Sequence, residues 1–149
     1  MGAYQMREQT LTNATAIDFS IYNQEVQERI NQLIEDNFDV EDIVSFVDQY
    51  GMNNINYYED IVQLCEDYSR DAVEEFLEEF DFSDLNYFAD MYAGQYNTLR
   101  DYAEQLFDDI YLNEIPEHLQ RFVDYDAFTT ELSYEFLITE SGHVFNRNY

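Results

Sequence analysis

The sequence predicts a mainly helical protein of the α+β class: an elongated array of about eight short acidic helices with a small C-terminal β-hairpin. Three observations carry this. From Gln24 onward apolar residues recur every three or four positions, the period of a helix with one buried face. Ser, Thr, Gly and Pro fall at the ends of these stripes, where helices start and stop. Near the C-terminus the period shortens, and two β-type runs flank Ser141-Gly142, a turn signal.

Taken in order, the first 23 residues hold a loose alternation at Ile17, Phe19 and Ile21, which fits a short strand or an ordered arm. Val26, Ile30, Leu33 and Ile34 form the first helical stripe. Ile43, Phe46, Val47 and Tyr50 form the second, stopped by Gly51. Ile61, Leu64, Cys65 and Tyr68 form the third. Ser69 caps a helix whose stripe is Val73, Phe76, Leu77 and Phe80. Ser83 is expected to cap another, with Leu85, Phe88, Ala89 and Tyr92, closing at Gly94. Thr98 and Asp101 resemble a capping box, opening a helix that buries Tyr102, Leu106, Phe107 and Ile110. Pro116 suits the first turn of a short helix with Leu119 and Phe122. A last helix spans about Asp126–Ser133, and the hairpin pairs Glu135–Thr139 with His143–Phe145.

An internal repeat is expected at a 42-residue period. Phe38-Asp39, Asp42, Phe46, Asp48 and Tyr50 recur as Phe80-Asp81, Asp84, Phe88, Asp90 and Tyr92, and 12 of the 43 positions compared are identical. The organisation that follows is a segment 1–34 (an arm and first helix), a first acidic repeat over 35–79, and a second over 80–149. Repeated units contact mainly their neighbours, which suits an extended molecule.

The charge is the most informative property. Among 149 residues, 33 are Asp or Glu and 6 are basic, a net charge of −27; every basic residue is arginine. Two carboxylates on each arginine would still leave most of the acids unpaired. Direct binding to nucleic acid or an anionic membrane is excluded, since both need basic residues. Disorder is also excluded: the chain is 46% hydrophobic and 17% aromatic, with one proline. No run approaches the roughly 20 apolar residues of a membrane span. The lone Cys65 fits a reducing compartment. No basic-then-apolar leader opens the chain, and Met1-Gly2 lacks the rest of a myristoylation signal.

Residues 35–90 hold 18 of the acids and one basic residue, Arg70. Glu74/Glu78 and Glu75/Glu79 are like-charge pairs at i,i+4, each unfavourable by a few tenths of a kcal/mol. A compact chain of this length is roughly 38 Å across. Its net charge then amounts to one per about 1.4 Å, against one per about 1.7 Å of duplex DNA axis. A carboxylate stripe on one helix recurs every 5.4 Å or so, and two neighbouring stripes approach phosphate spacing. The functional expectation is a DNA mimic that fills the basic groove of a DNA-binding protein. The candidate mimic residues are Asp60, Glu66, Asp67, Asp71, Glu74, Glu75, Glu78, Glu79, Asp81, Asp84, Asp90 and Glu114. An acidic structural or chaperone protein fits the charge equally well; a halophile surface fits the 14 Tyr and 12 Phe poorly.

Catalysis finds little support. His118 and His143 lie 25 residues apart with no ligand-spaced Cys, so neither a metal nor a cofactor is expected. There is no Gly-rich phosphate loop and no EF-hand loop. Carboxylate pairs are too common for any one to mark an acid/base site.

The C-terminal half carries a recognisable pattern: Tyr92-Ala93-Gly94-Gln95-Tyr96, Leu99-Arg100-Asp101-Tyr102-Ala103-Glu104, Pro116-Glu117-His118-Leu119, Asp124-Tyr125-Asp126 and Gly142-His143-Val144-Phe145. It resembles the ArdA antirestriction family over about residues 80–149, more weakly back to Tyr57. The family's β-containing N-terminal domain is not evident, and Thr130-Glu131-Leu132 stands where members often show Arg-Asp-Leu. The resemblance implies a non-enzymatic, homodimeric mimic of bent DNA in the cytoplasm of a bacterial host, carried by a phage or mobile element. Its implied target is the methyltransferase core of a type I restriction–modification enzyme. It also implies mimic roles for Asp101, Glu104, Asp108 and Asp109, and a dimer contact near Tyr125, Phe128, Phe136 and Phe145. A rebuilt mimic could instead block another DNA-binding protein, such as a CRISPR effector or a nucleoid protein.

Overall fold

The computed structural model describes residues 21–149. The expected arm strand at Ile17 and Phe19 lies outside them. The described chain is mainly helical with one small antiparallel sheet. It divides into two units, one ending at Val62 and one spanning Gln63–Tyr149.

In the first unit, α1 (Gln24–Glu35) opens on Asn23, whose side chain accepts from the Val26 N–H at 2.9 Å. It buries Val26, Ile30 and Leu33. Its end is closed by Asn37 at φ 73°, with the Phe38 N–H reaching back to the Leu33 carbonyl, a Schellman closure that satisfies orphan carbonyls. Helix α2 (Val40–Tyr50) is capped by Asp39 and stops at Gly51 (φ 91°). A 3₁₀ segment, Met52–Tyr57, leads into α3 (Tyr58–Asp67). Leu33, Ile43 and Ile55 are buried at the centre, and Phe46 packs against Tyr50 and Tyr58.

The second unit begins its own pattern at Ser69, which accepts from the Ala72 N–H and starts α4 (Arg70–Glu79). A 3₁₀ segment, Phe82–Tyr87, follows, then α5 (Phe88–Met91) and strand β1 (Tyr92–Gln95). Thr98 caps α6 (Leu99–Ile110) through the Asp101 N–H. Short 3₁₀ turns at Leu112–Glu114 and Glu117–Phe122 connect to α7 (Tyr125–Leu132), then to β2 (Phe136–Ile138) and β3 (His143–Asn146). The sheet order is β1-β3-β2, both pairs antiparallel. Phe145 is fully buried at its centre, against Phe76, Phe88 and Tyr92.

Five expectations are corrected. The hairpin of β2 and β3 gains a third strand, because Tyr92–Gln95 leaves the helical path and pairs with β3. The segment expected as one helix from Ser83 is a 3₁₀ run and a single α-turn, opened by Asp81 rather than Ser83. Of the residues expected buried on α6, Tyr102 is buried but Ile110 is 52% exposed. The segment after Pro116 also stays on the surface, with Phe122 68% exposed.

The fifth concerns the repeat, whose structural period is 30 residues rather than 42. The N-caps Asp39 and Ser69 correspond, as do α2 and α4, the two six-residue 3₁₀ segments, and the starts of α3 and α5. Buried Ile43, Phe46, Ile55, Tyr58 and Ile61 match buried Val73, Phe76, Leu85, Phe88 and Met91. Three aromatic pairs recur with them. Phe46–Tyr50 at 5.0 Å matches Phe76–Phe80 at 4.8 Å. Phe46–Tyr58 at 5.3 Å matches Phe76–Phe88 at 5.0 Å. Phe38–Tyr58 at 5.5 Å matches Tyr68–Phe88 at 4.9 Å. The 42-residue alignment paired an α-helix with a 3₁₀ segment because both share Asp and Phe.

Candidate functional site

The candidate surface is built by the polar faces of α4 and α6 and the loops between them. On α4, Ala72, Val73 and Phe76 face the core. At 100° per residue this sends Glu74 and Glu78 to the opposite side, and both are exposed. Glu79 and Asp81 are exposed where the helix ends, and Glu66, Asp67 and Asp90 are exposed on neighbouring elements. On α6 the buried residues are Tyr102 and Ala103, leaving Asp101, Asp108 and Asp109 exposed and Glu104 half-buried. Glu114 is exposed just beyond. Asp60 is exposed on α3 and belongs to the first unit.

Little positive charge answers these groups. Among the described residues arginine meets four carboxylates: Arg29–Glu59, Arg70–Glu74, Arg100–Glu104 and Arg100–Asp126, at 3.5, 3.6, 3.4 and 2.8 Å. Arg147 donates to the carbonyls of Ser133 and Phe136, and Arg121 lies over the Phe122 ring. Such exposed pairs contribute little to stability, about 0–1 kcal/mol each, so the acidic surface is left largely uncompensated.

Some predicted mimic residues are committed elsewhere. Asp84 accepts from the Asp81 N–H at 3.1 Å and from the Tyr149 hydroxyl at 2.9 Å. Asp108 accepts from the Tyr125 hydroxyl at 2.5 Å, and that bond holds the Tyr125 phenol above its ordinary pKa. Asp67 accepts from the Gln63 amide at 3.0 Å.

Asp71 and Glu75 turn toward the sheet rather than outward. Glu75 accepts from the Ser141 N–H at 2.7 Å, and Asp71 lies 3.1 Å from His143 Nε2. His143 is 2% exposed, and its Nδ1 is 2.9 Å from the Tyr92 hydroxyl. The hydrogen bonds from His143 and then Ser69 hold the Asp71 carboxyl below the usual range. Burial pushes Glu75 up, but hydrogen bonds from Ser141 and Thr139 outweigh it and leave it below the usual range. Burial raises the Tyr92 phenol, reinforced by the Asp71 charge. The carboxyl, imidazole and hydroxyl groups thus form one hydrogen-bonded cluster joining α4 to β1 and β3. Linear spacing gave no sign of it: 72 residues separate His143 from Asp71.

The four expected dimer-contact aromatics differ in place. Phe128 packs on Phe107 and Tyr111, Tyr125 on Phe107, and Phe136 on Tyr102, all half-buried. Phe145 is fully buried and has no surface to offer a partner, so it is removed from the contact set.

No helix among the described residues is long and apolar enough to cross a membrane. No curated protein and no solved structure matches the chain. The model of the antirestriction protein (ArdA) family matches residues 11–145, well beyond the C-terminal half in which the pattern was read. With nearly its whole length matched, the chain belongs to the ArdA family of antirestriction proteins.

Proposed function

We propose that this antirestriction protein is a DNA mimic that occupies the DNA-binding groove of a type I restriction–modification enzyme. The observation that carries the reading is the exposed acidic surface of α4 and α6, which arginine scarcely neutralises. Seating such a surface in a basic groove shaped for phosphates releases the counterions of both into solvent. The effective mimic set is the outward group: Glu66, Glu74, Glu78, Glu79, Asp81, Asp90, Asp101, Asp109 and Glu114. Asp71, Glu75 and Asp84 serve the fold first. No reaction is assigned to the protein; inhibition needs only occupancy of the groove.

Competition tests the reading. The protein, added to a type I methyltransferase on labelled DNA, is expected to release the DNA at stoichiometric amounts, less so as salt rises. DNA binding unchanged at excess inhibitor rejects it. Reversing Glu74, Glu78 and Glu79 to Lys is expected to weaken inhibition while leaving the circular dichroism spectrum intact. Full inhibition by that variant moves the contact away from α4. We further propose a homodimer in a bacterial cytoplasm. Support comes from the exposed apolar side chains Ile110, Tyr111, Leu119 and Phe122 of the second unit, a class of residue that subunit contacts cover. Light scattering coupled to gel filtration gives the mass directly, and a monomer at all concentrations removes this part.

A further inference from the structure

We propose that Asp71, Glu75 and His143 form a binding site for one divalent first-row cation of the Zn²⁺ class, independent of the DNA-mimic reading. Asp71 and Glu75 lie one turn apart on α4 and so share a side of the helix. Strand β3 brings His143 against that side. One donor atom from each residue lies within 4.8 Å of the others. Zinc binds imidazole nitrogen and carboxylate oxygen at about 2.0–2.2 Å. Closing this trio onto such an ion takes an inward movement of about 1 Å, within reach of two carboxylate side chains.

The surroundings favour a metal over a chance grouping of acids. His143 is held on its other nitrogen by Tyr92, at 2.9 Å. When an ion replaces the Nε2 proton that now bonds Asp71, the ring carries its proton on Nδ1 and donates it to the Tyr92 oxygen, the arrangement that orients metal-binding histidines. A buried imidazole with two carboxylates selects Zn²⁺ and its neighbours over Mg²⁺ or Ca²⁺, which prefer all-oxygen sets. Asp71 is half-exposed, which leaves an open side for entry and for a water as fourth ligand. The ion would neutralise two carboxylates and fasten α4, the most acidic helix, to the sheet. The first unit has no such trio at the equivalent positions of its repeat, where Glu41 and Ser45 stand in place of Asp71 and Glu75.

The test uses the full chain, stripped with chelator and titrated with ZnCl₂ and separately with MgCl₂ in moderate salt. Expected is one tight equivalent of Zn²⁺ that excess Mg²⁺ does not displace, with a shift of the His143 Nε2 resonance on binding. Asp71→Asn and Glu75→Gln are each expected to abolish the tight equivalent; both residues sit at the edge of the core, and circular dichroism checks their folding. Tyr92→Phe is expected to weaken it roughly 10–100-fold by releasing the imidazole, and His118→Gln to leave it unchanged. A tight equivalent that survives both carboxylate variants, yields to Mg²⁺, or leaves the His143 resonance unmoved overturns the proposal, as does the absence of a tight equivalent.

Discussion

The two 30-residue repeats begin alike and end differently. In both, a capped helix, a 3₁₀ segment and a new helix place an aromatic ring, Phe46 or Phe76, between two others. In the first, α3 then runs on for ten residues to Asp67. In the second, α5 stops after four and the chain extends as β1. The repeat positions explain the divergence. Leu64, inside α3, corresponds to Gly94 at φ 119°, and Tyr92 is claimed by pairing opposite Phe145. A β-bulge between Tyr92 and Gly94 adjusts the register. The same helical module is thus finished by its own helix in one repeat and by a sheet in the other. The sheet in turn supplies His143 and Phe145, which bind the acidic helix α4 from behind while its other face meets solvent.

The largest expected effect separates the two cores. Phe76→Ala and Phe46→Ala each remove a ring from a close-packed site, at about 3–5 kcal/mol. Phe76 contacts Phe80, Phe88 and Phe145 and is fully buried, whereas Phe46 contacts Tyr50 and Tyr58 and is 6% exposed. Phe76→Ala is expected at the upper end and Phe46→Ala at the lower, measured by urea unfolding with tertiary probes. Equal effects would mean that the sheet adds nothing to the second core.

Two glycines of similar φ sharpen the contrast. Gly51 (φ 91°) ends α2 with nothing within 4 Å of an added Cβ, while at Gly142 (φ 90°) that atom would meet the Tyr96 carbonyl oxygen at 2.1 Å. Gly51→Ala carries only conformational strain, about 1–3 kcal/mol. Gly142→Ala adds a steric clash with backbone, so its loss is expected above about 3 kcal/mol. Thermal denaturation of the two variants checks the order, and a milder Gly142→Ala would mean that the β2–β3 turn shifts freely.

Much of this was legible in the sequence, and the failures share a cause. Stripes and caps located α1, α2, α4 and α6, because a helix is decided by residues three and four apart: Ser69 and Thr98 cap where their hydroxyls reach the next turn's N–H groups. The stripe Leu85, Phe88, Ala89 and Tyr92 also has helical spacing, but Ala89 is exposed and Tyr92 is taken by β3, a choice made more than 50 residues away. The period of 30 was hidden because its matches, such as Ile43 with Val73 or Tyr58 with Phe88, preserve size and burial rather than identity. Acids on the outer face of α4 were readable from the stripe; the inward bonding of Asp71 and Glu75 required knowing that His143 and Ser141 arrive beside them.

The N-caps give a smaller test. Asp39 accepts from the N–H groups of Glu41 and Asp42, Ser69 from that of Ala72. Replacing either by Ala is expected to cost about 1 kcal/mol. The Ser69→Ala variant is expected to lose somewhat more, because Ser69 also hydrogen-bonds Asp71 and so supports the cluster with His143. Double-variant cycles with Asp71→Asn measure this coupling; strict additivity would detach the cap from the cluster.

The smallest effect is a titration, at a pair of repeat positions where an amide in the first copy is a carboxylate in the second. Asn54 donates to the Tyr50 carbonyl, whereas its counterpart Asp84 accepts from the Tyr149 hydroxyl. The bond to Asp84, reinforced by its negative charge, raises the Tyr149 phenol above its ordinary value of about 10. A raised folded-state value means that the contact stabilises the fold fully below about pH 10 and is lost as pH rises through the raised value. Carbon-13 labelling of the tyrosine rings resolves this group by NMR. In the native chain Tyr149 is expected to ionise later than exposed tyrosines, and Asp84→Asn should return it toward them. No change on Asp84→Asn would show that the C-terminus is held by the stacking of Tyr149 on Tyr87, 4.7 Å between centroids, rather than by the hydrogen bond. The second repeat would then keep its tail through aromatic contact alone, as the first keeps its own 3₁₀ segment without a carboxylate.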